Sequence, residues 1–315
     1  MSAVGARTRA VRRAEAALRK WGRALLRRGG VVAVGVGPRR RRDRWHDGEV
    51  CLQVFVRRKL RPDSAIPRRS RLPRAVDGVP VDVLEATFRA FDACLSSTSG
   101  RRRRADALVG GISLANEADD EFGTLGLLLE DAWAVYALTA GHVAGSQGSS
   151  VAQPEEAQDR IGTVVASRCS TNANLDAALV RVAANARHVA PGVYDDPNRT
   201  FRTRAFDTTV RRVWVHGACS GRVEAKVTSH TWKGVVEYSD GTRVTLHDQG
   251  AFTGIDGVVR PGDSGAGVFD ADEDALVGML LGGDEATGFG VFTPIDDILR
   301  RAVMQPRGER LAPLL

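Results

Sequence analysis

The sequence predicts a mainly β protein: a small α/β module first, then a larger β barrel or sandwich closed by a C-terminal helix. Three observations predict it. Short β-type runs broken by glycine and turn residues crowd the region after residue 105. Helical patterns stand at the start of the chain and at the end of that β region. The charge also reverses along the chain. Residues 1–104 hold 27 Lys+Arg against 9 Asp+Glu, whereas residues 105–315 hold 18 against 29. Two regions of opposite sign read as two modules that attract each other.

Composition narrows the class. With 315 residues, 43% hydrophobic and 26% charged, the chain can bury a sizeable core, which excludes a disordered or collagen-like protein. Aromatic residues are 6%, thin for a binder that stacks single-stranded bases. No run approaches the ~18 apolar residues of a spanning helix. Cys51, Cys94, Cys169 and Cys219 form no CxxC pair, which argues against structural zinc and a dense disulfide framework. Arginines interrupt the apolar residues at the N-terminus, so there is no signal-peptide core, and a reducing cytoplasm is the expected compartment. Only Lys20, Lys59, Lys226 and Lys233 are lysines. The arginine excess reads first as a GC-rich bacterial genome and second as phosphate recognition.

Each element has its own signal. Val11, Ala14, Leu18, Trp21 and Leu25 recur at spacings of three and four, which predicts an amphipathic helix over 1–30 ended by Gly29-Gly30. Its arginines make it a docking helix with a solvated basic face, or an attachment to an anionic membrane or nucleic acid. Residues 31–104 form the small α/β module and its linker. Strands are expected at Val31–Val36, Val50–Val56 and Val79–Leu84, with Arg39–Arg42 as an exposed loop tip and Ser96–Arg104 as an Arg-rich linker. Residues 105–305 carry the β-rich domain, and 306–315 read as a tail. Its expected strands are Gly123–Leu129, Ala132–Thr139, Ile161–Ala166, Ala177–Val182, Arg211–Val215, Val223–Thr228, Gly234–Tyr238, Thr242–Leu246, Ala266–Phe269, Leu276–Leu281 and Gly290–Thr293. Thr293 as N-cap, Pro294 in the first turn, then Asp296 and Asp297 start the last helix.

Three motifs in the β-rich part carry chemistry: Thr139-Ala140-Gly141-His142, Asn174-Leu175-Asp176-Ala177-Ala178-Leu179 and Gly262-Asp263-Ser264-Gly265-Ala266-Gly267. Acyl transfer needs a hydroxyl nucleophile, an imidazole to take its proton and a carboxylate to hold that imidazole in one tautomer. It also needs backbone N–H donors at the developing oxyanion. A serine flanked by glycines permits the tight turn that presents two such donors, here those of Gly262 and Ser264. Singly, His142 reads as a structural histidine, Asp176 as a turn residue and the Ser264 segment as a glycine turn. Their order on an all-β background makes coincidence a poor explanation.

With these motifs, region 108–303 resembles the trypsin-like, chymotrypsin-fold serine proteases, which set two β-barrels side by side with the active site in the cleft. The resemblance implies His142 as general base, Asp176 as its orienting carboxylate and Ser264 as nucleophile. Upstream, VVAVGVG, GEVCLQVFV, RRKL and DGVPVDVLE are similar to the segment before the protease domain in a group of bacterial trypsin-like proteins and in plant narrow-leaf-type proteases. The chain departs from the family pattern in two ways. No cysteine lies near Ser264 to bracket it, Cys219 being the nearest, and no activation site is recognisable; in the bacterial branch an internal arginine pairs with the aspartate at Asp263 instead. By the resemblance, Val258, six residues before the nucleophile, lies at the base of the primary pocket and favours small or apolar side chains. Asp256 could enter that pocket after a change in loop length. Leu281, Gly282 and Gly283 would form the edge that pairs with substrate, the glycines leaving the pocket mouth open.

The expected activity is therefore a serine endopeptidase acting on protein or peptide, regulated by its basic N-terminal module. The alternatives are a silent protease-fold interaction module, and a protease tethered to nucleic acid by its arginines. No recognised nucleic-acid motif accompanies those arginines, which disfavours the tether. No HxxxH or HExxH spacing implies a metal, and no cofactor is expected. Restraint in a cytoplasm could come from a homo-oligomer, from the Arg-rich linker or from a partner protein. The acidic residues Asp270, Asp272, Glu273, Asp274, Asp284 and Glu285 read as a solvated loop, or as the surface that docks the basic module or steers basic substrates.

Overall fold

The computed structural model describes residues 3–60, 67, 70–91, 100–118, 121–154, 159–301, 304–305 and 310–315, without the side chains of 3–5. Cys94, Pro62 and the first part of the expected 96–104 linker lie outside the described residues. The chain is mainly β, with a double β-barrel over the β-rich region, a short helix at Ile295–Arg300 and a small α/β module in front.

The N-terminal helix runs Ala3–Leu26, and Gly30 follows it in the left-handed region at φ +86°. Its buried stripe is Ala14, Ala17 and Leu25. Trp21 was expected on that stripe but stands 39% exposed at its margin, where its Nε1 donates to Asp77 Oδ2 at 3.0 Å. The small residues Ala14 and Ala17 let the helix lie close on the sheet, which leaves no room for an indole. The two expected strands extend into one hairpin, Val31–Arg41 and Arg44–Val56, pairing as far as Arg41 with Arg44. Arg39, Arg40 and Arg41 are thus strand residues, and only Arg42 and Asp43 form the turn, both at positive φ (46° and 61°) as a two-residue hairpin requires. The strand Val79–Glu85 adds in parallel to Arg44–Val56.

In the β-rich region the first sheet has eight strands and gathers Leu127–Glu130, Val135–Thr139, Leu175–Val182 and Arg160–Ser170 around a core that includes Leu128, Tyr136, Leu138, Ile161 and Leu179. The described end of the expected 306–315 tail belongs to this sheet: Ala312 and Pro313 pair with Glu130 and Leu129. The second barrel closes through the order Arg212–Gly217, Gly267–Asp270, Ala275–Asp284, Phe289–Pro294, Arg243–Gly254 and Gly221–Glu237, the last pairing back to the first. The runs expected as separate strands at 223–228 and 234–238 are one bulged strand of 17 residues. Thr293 does not cap the last helix. Its hydroxyl donates to Gln249 Oε1 at 2.7 Å, and the helix begins at Ile295 after Pro294.

The two modules are not held by charge alone. Val31–Arg41 pairs with Gly221–Glu237, so the N-terminal sheet continues the second barrel's sheet. Phe55, Leu84 and Phe88 share one apolar cluster with Trp232, Val236, Leu281 and Phe289. Five of the six acidic residues expected to dock the basic module are taken by arginines of the β-rich region: Asp270 and Glu273 by Arg204, Asp274 by Arg199, Asp272 by Arg212 and Glu285 by Arg260, while Asp284 accepts the Thr87 N–H of the N-terminal module. Across the interface the described ion pairs include Arg57–Glu237 and, with the opposite polarity, Asp47–Lys226. Arginines 101 and 104 of the expected linker are likewise paired, with Asp195 and Asp159. Among the described residues, no helix is long and apolar enough to cross a membrane.

A fragment of residues 105–315 would leave Trp232 and Phe289, both fully buried, without Phe55 and Phe88. Exposing such large aromatics costs about 1.5–3 kcal/mol each. The fragment is expected to bind a hydrophobic dye and to melt without a cooperative transition; a sharp melt close to that of the full chain would contradict the shared core.

Candidate active site

His142 and Asp176 meet because their strands are neighbours. Val135–Thr139 pairs with Leu175–Val182 in the register Thr139 to Ala178, which brings the end of one strand and the start of the other to the same edge. After Thr139 the chain turns into the short helix Gly141–Ala144, which carries His142. His142 Nδ1 lies 2.6 Å from Asp176 Oδ2, and the His142 backbone N donates to Asp176 Oδ1 at 3.1 Å. A side chain at Gly141 would run into the Arg168 carbonyl and approach Asp176 Oδ1, so glycine is what allows this close approach.

Asp176 is fully buried. Burial pushes its carboxyl upward, but the His142 charge and hydrogen bonds from His142 and Tyr238 outweigh it and hold the group below the usual carboxylate range. The Tyr238 hydroxyl donates to Oδ2 at 2.8 Å, and its ring stands edge-on to the His142 imidazole with centroids 5.2 Å apart. Sequence reasoning missed Tyr238. It lies 62 residues beyond Asp176 at the end of a strand, with no local motif to mark it.

Ser264 sits on the turn before Gly267–Asp270, with Gly262 and Gly265 on either side at φ +95° and +94°. At Gly265 a side chain would also strike the Thr124 carbonyl and the Thr139 hydroxyl, so both its dihedral and the contact require glycine. Thr124 pins the turn. Its N–H donates to Ser264 O at 2.8 Å, its hydroxyl to Gly262 O at 2.8 Å, and its carbonyl accepts the Thr139 hydroxyl at 2.8 Å. The Ser264 backbone is therefore tied to the strand that leads directly to His142.

Asp263 points away from solvent into the second barrel. Its Oδ1 accepts the N–H groups of Cys219 and Ser220 at 2.9 and 3.0 Å, and Oδ2 that of Arg260 at 2.8 Å. Burial pushes its carboxyl up, against these hydrogen bonds. An internal arginine was the expected partner; among the described residues the carboxylate is held by the Ser220 side chain and by backbone amides instead. Cys51, Cys169 and Cys219 are free thiols.

The cleft holds part of the chain itself. The strand Arg89–Ala90 pairs antiparallel with Ala275–Asp284, Ala90 opposite Gly282 and Arg89 opposite Gly283. Gly262 N donates to the Phe91 carbonyl at 2.8 Å, Phe91 N donates to Ser264 Oγ at 2.9 Å, and Ser264 Oγ donates to Leu281 O at 2.7 Å. Gly282 and Gly283 do not leave an open mouth, because a side chain at Gly282 would strike the Arg89 carbonyl. Val258 is half-buried, within reach of a side chain at Gly288, whereas its neighbour Val259 belongs to the apolar cluster that takes Phe91. Asp256 is exposed, and its Oδ1 accepts the Glu224 N–H at 2.9 Å. Among the described residues, no three His, Cys, Asp or Glu side chains converge as metal ligands would.

Two substitutions test this geometry. Tyr238→Phe removes a hydrogen bond to a buried carboxylate, which contributes about 1.5–3 kcal/mol. Acyl transfer at Ser264 is expected to slow roughly ten- to hundred-fold, measured as the rate of probe labelling across pH. Thr124→Val leaves the Gly262 carbonyl and the Ala218 N–H, which donates to the Thr124 hydroxyl at 3.0 Å, without that partner inside the protein. Stability should fall by about 2–4 kcal/mol in urea titration.

Comparison with known proteins places this geometry in a family. Residues 124–279 match the trypsin-like peptidase domain. Among solved structures, the chain is similar to Protease A of Thermobifida fusca (22% identity, TM-score 0.49, covering 66% of this chain and 100% of that one) and to a chymotrypsin of Cellulomonas bogoriensis (20%, 0.46, 66% and 98%). It is similar too to a glutamic acid-specific serine protease (17%, 0.48, 66% and 100%). The comparison with curated proteins returned no match. The β-rich half of this chain belongs to the trypsin-like peptidase family, whose domain it carries from Thr124 to Met279.

Proposed function

We propose that the chain is a serine endopeptidase that hydrolyses peptide bonds through Ser264, His142 and Asp176. The observation that carries the reading is the bond between the Gly262 N–H and a peptide carbonyl directly beside Ser264 Oγ. A backbone donor aimed at a peptide carbonyl next to a nucleophile is the arrangement that acyl transfer requires. In the reaction, His142 takes the Ser264 proton as Oγ attacks the carbonyl carbon. Asp176, ionised throughout the neutral range, holds the imidazole in the tautomer whose Nε2 accepts that proton. The N–H groups of Gly262 and Ser264 receive the oxyanion. Collapse passes the proton from His142 to the leaving amine and leaves an ester on Ser264, which water then hydrolyses by the same steps in reverse.

Leu281, Gly282 and Gly283 pair with the substrate backbone, and the pocket beside Val258 and Val259 receives an apolar side chain. The N-terminal module regulates access, since it shares a core with the second barrel and its strand reaches the cleft. One observation favours a silent binding module instead: the Ser264 hydroxyl gives its proton to the Leu281 carbonyl.

A fluorophosphonate probe separates the two readings. Wild type is expected to label and Ser264→Ala to remain unlabelled, and Asp176→Asn is expected to label about 10⁴-fold more slowly, because the imidazole loses its orienting carboxylate. Equal labelling of wild type and Ser264→Ala would dismiss Ser264 as nucleophile.

A further inference from the structure

Resting on the serine-protease reading above, we infer that Arg89-Ala90-Phe91 is a built-in acyl-side peptide, so that the enzyme blocks its own cleft and prefers substrates with an aromatic residue before the cut. The segment lies as the acyl side of a substrate would lie. Its two strand residues pair antiparallel with Gly282 and Gly283, and the carbonyl of the next residue, Phe91, meets the Gly262 N–H at 2.8 Å. An extended peptide added to an exposed sheet edge takes its affinity from such main-chain bonds and its specificity from side-chain pockets.

The pocket is visible from what fills it. Phe91 is 3% exposed and belongs to the same apolar cluster as Val213, Val259, Ala266, Leu280 and Phe292. The side chains that make up that cluster are apolar and offer a cation no partner. A Lys or Arg there would bury its charge unpaired, which selects against both. Ala90, 9% exposed against Leu281 and Phe289, sets a small residue at the preceding position.

The same contacts hold the nucleophile at rest. Ser264 Oγ accepts from Phe91 N and spends its one proton on Leu281 O, so that bond must break before His142 can take the proton. The occupant needs little intrinsic affinity, because a tethered segment acts at an effective concentration of ~mM. It is also held upstream. Thr87 N donates to Asp284 Oδ2 at 2.7 Å, and Glu237 N donates to the Phe88 carbonyl at 3.1 Å.

The full-length protein tests this with Phe91→Gly, which empties the pocket while leaving the upstream contacts in place. The variant is expected to label with a fluorophosphonate at least ten-fold faster than wild type. It should also hydrolyse a peptide anilide ending Ala-Phe at least ten-fold faster than one ending Ala-Arg. Equal labelling of a folded Phe91→Gly protein and wild type would overturn self-blocking, and preference for the Ala-Arg anilide would overturn the aromatic pocket. If Phe91→Gly does not fold, Phe91→Leu is the measure: labelling faster than wild type supports the inference, and an unchanged rate overturns it.

If no variant labels, the protease reading has failed and the occupancy is read by binding. A fluorescent peptide Thr-Phe-Arg-Ala-Phe should then bind Phe91→Gly and not wild type, and the same peptide ending in arginine should bind neither. No binding to Phe91→Gly would overturn the proposal on its own.

Discussion

Everything at the candidate site depends on the hydrogen bonds of one residue, Thr124. Its N–H and hydroxyl hold the Ser264 and Gly262 carbonyls, and its own carbonyl holds the Thr139 hydroxyl three residues before His142. Without these bonds the turn that carries Ser264 would be free to shift against the segment that carries His142, and the close relative placement of the two side chains would be lost. Thr124 and Ser264 are both fully buried, so these bonds face no competition from water, and each is expensive to leave unmade. The glycines follow from this constraint. Gly265 must pass so close to Thr124 and Thr139 that no side chain fits.

A second constraint joins the N-terminal module to the protease domain. Beyond its pairing with Arg212–Gly217, the strand Gly221–Glu237 would leave an edge at Lys233 and Gly234, and Val31–Arg41 pairs there. Continuity of the sheet then allows Phe55 and Phe88 to pack against Trp232 and Phe289. The large opposite charges of the two halves contribute less than the sequence balance implies. The acidic groups near the strand Ala275–Asp284 are already paired with arginines of their own region, and surface pairs stabilise by only about 0–1 kcal/mol.

What the sequence made legible was whatever has a local signature. The amphipathic helix, the strands and the three motifs at His142, Asp176 and Ser264 each depend on spacing within a few residues, and the chain folds accordingly. Whatever depends on a contact between distant segments was not legible. Tyr238 carries no motif, yet it donates to Asp176 from 62 residues away. Phe91 reads as one more apolar residue in ATFRAF, yet it lies 173 residues from the Ser264 hydroxyl it meets. The glycine pair 282–283 was expected to form a substrate edge, but which segment of the chain lies on it is decided by the fold. Charge asymmetry misled for a related reason: net charge sums over a region, whereas pairing is decided arginine by arginine.

The segment that fills the cleft costs little order to hold there. Val79–Glu85 is already a strand, fixed in parallel to Arg44–Val56, and only five residues separate Glu85 from Phe91. The Ala86 N–H bonds to Val56 O, and Thr87 and Phe88 bond to Asp284 and Glu237. Most of the conformational entropy of an extended peptide is therefore lost in folding the N-terminal module and not on entering the cleft, which is the advantage of a preorganised ligand. The reverse step is correspondingly local. On the self-blocking proposal, release of the pairing at 89–91 would open the site without touching the Phe55, Phe88, Trp232 and Phe289 contacts or the Val31–Arg41 pairing. On the same proposal, a module that shares its core with the protease domain still acts on the cleft through Arg89-Ala90-Phe91.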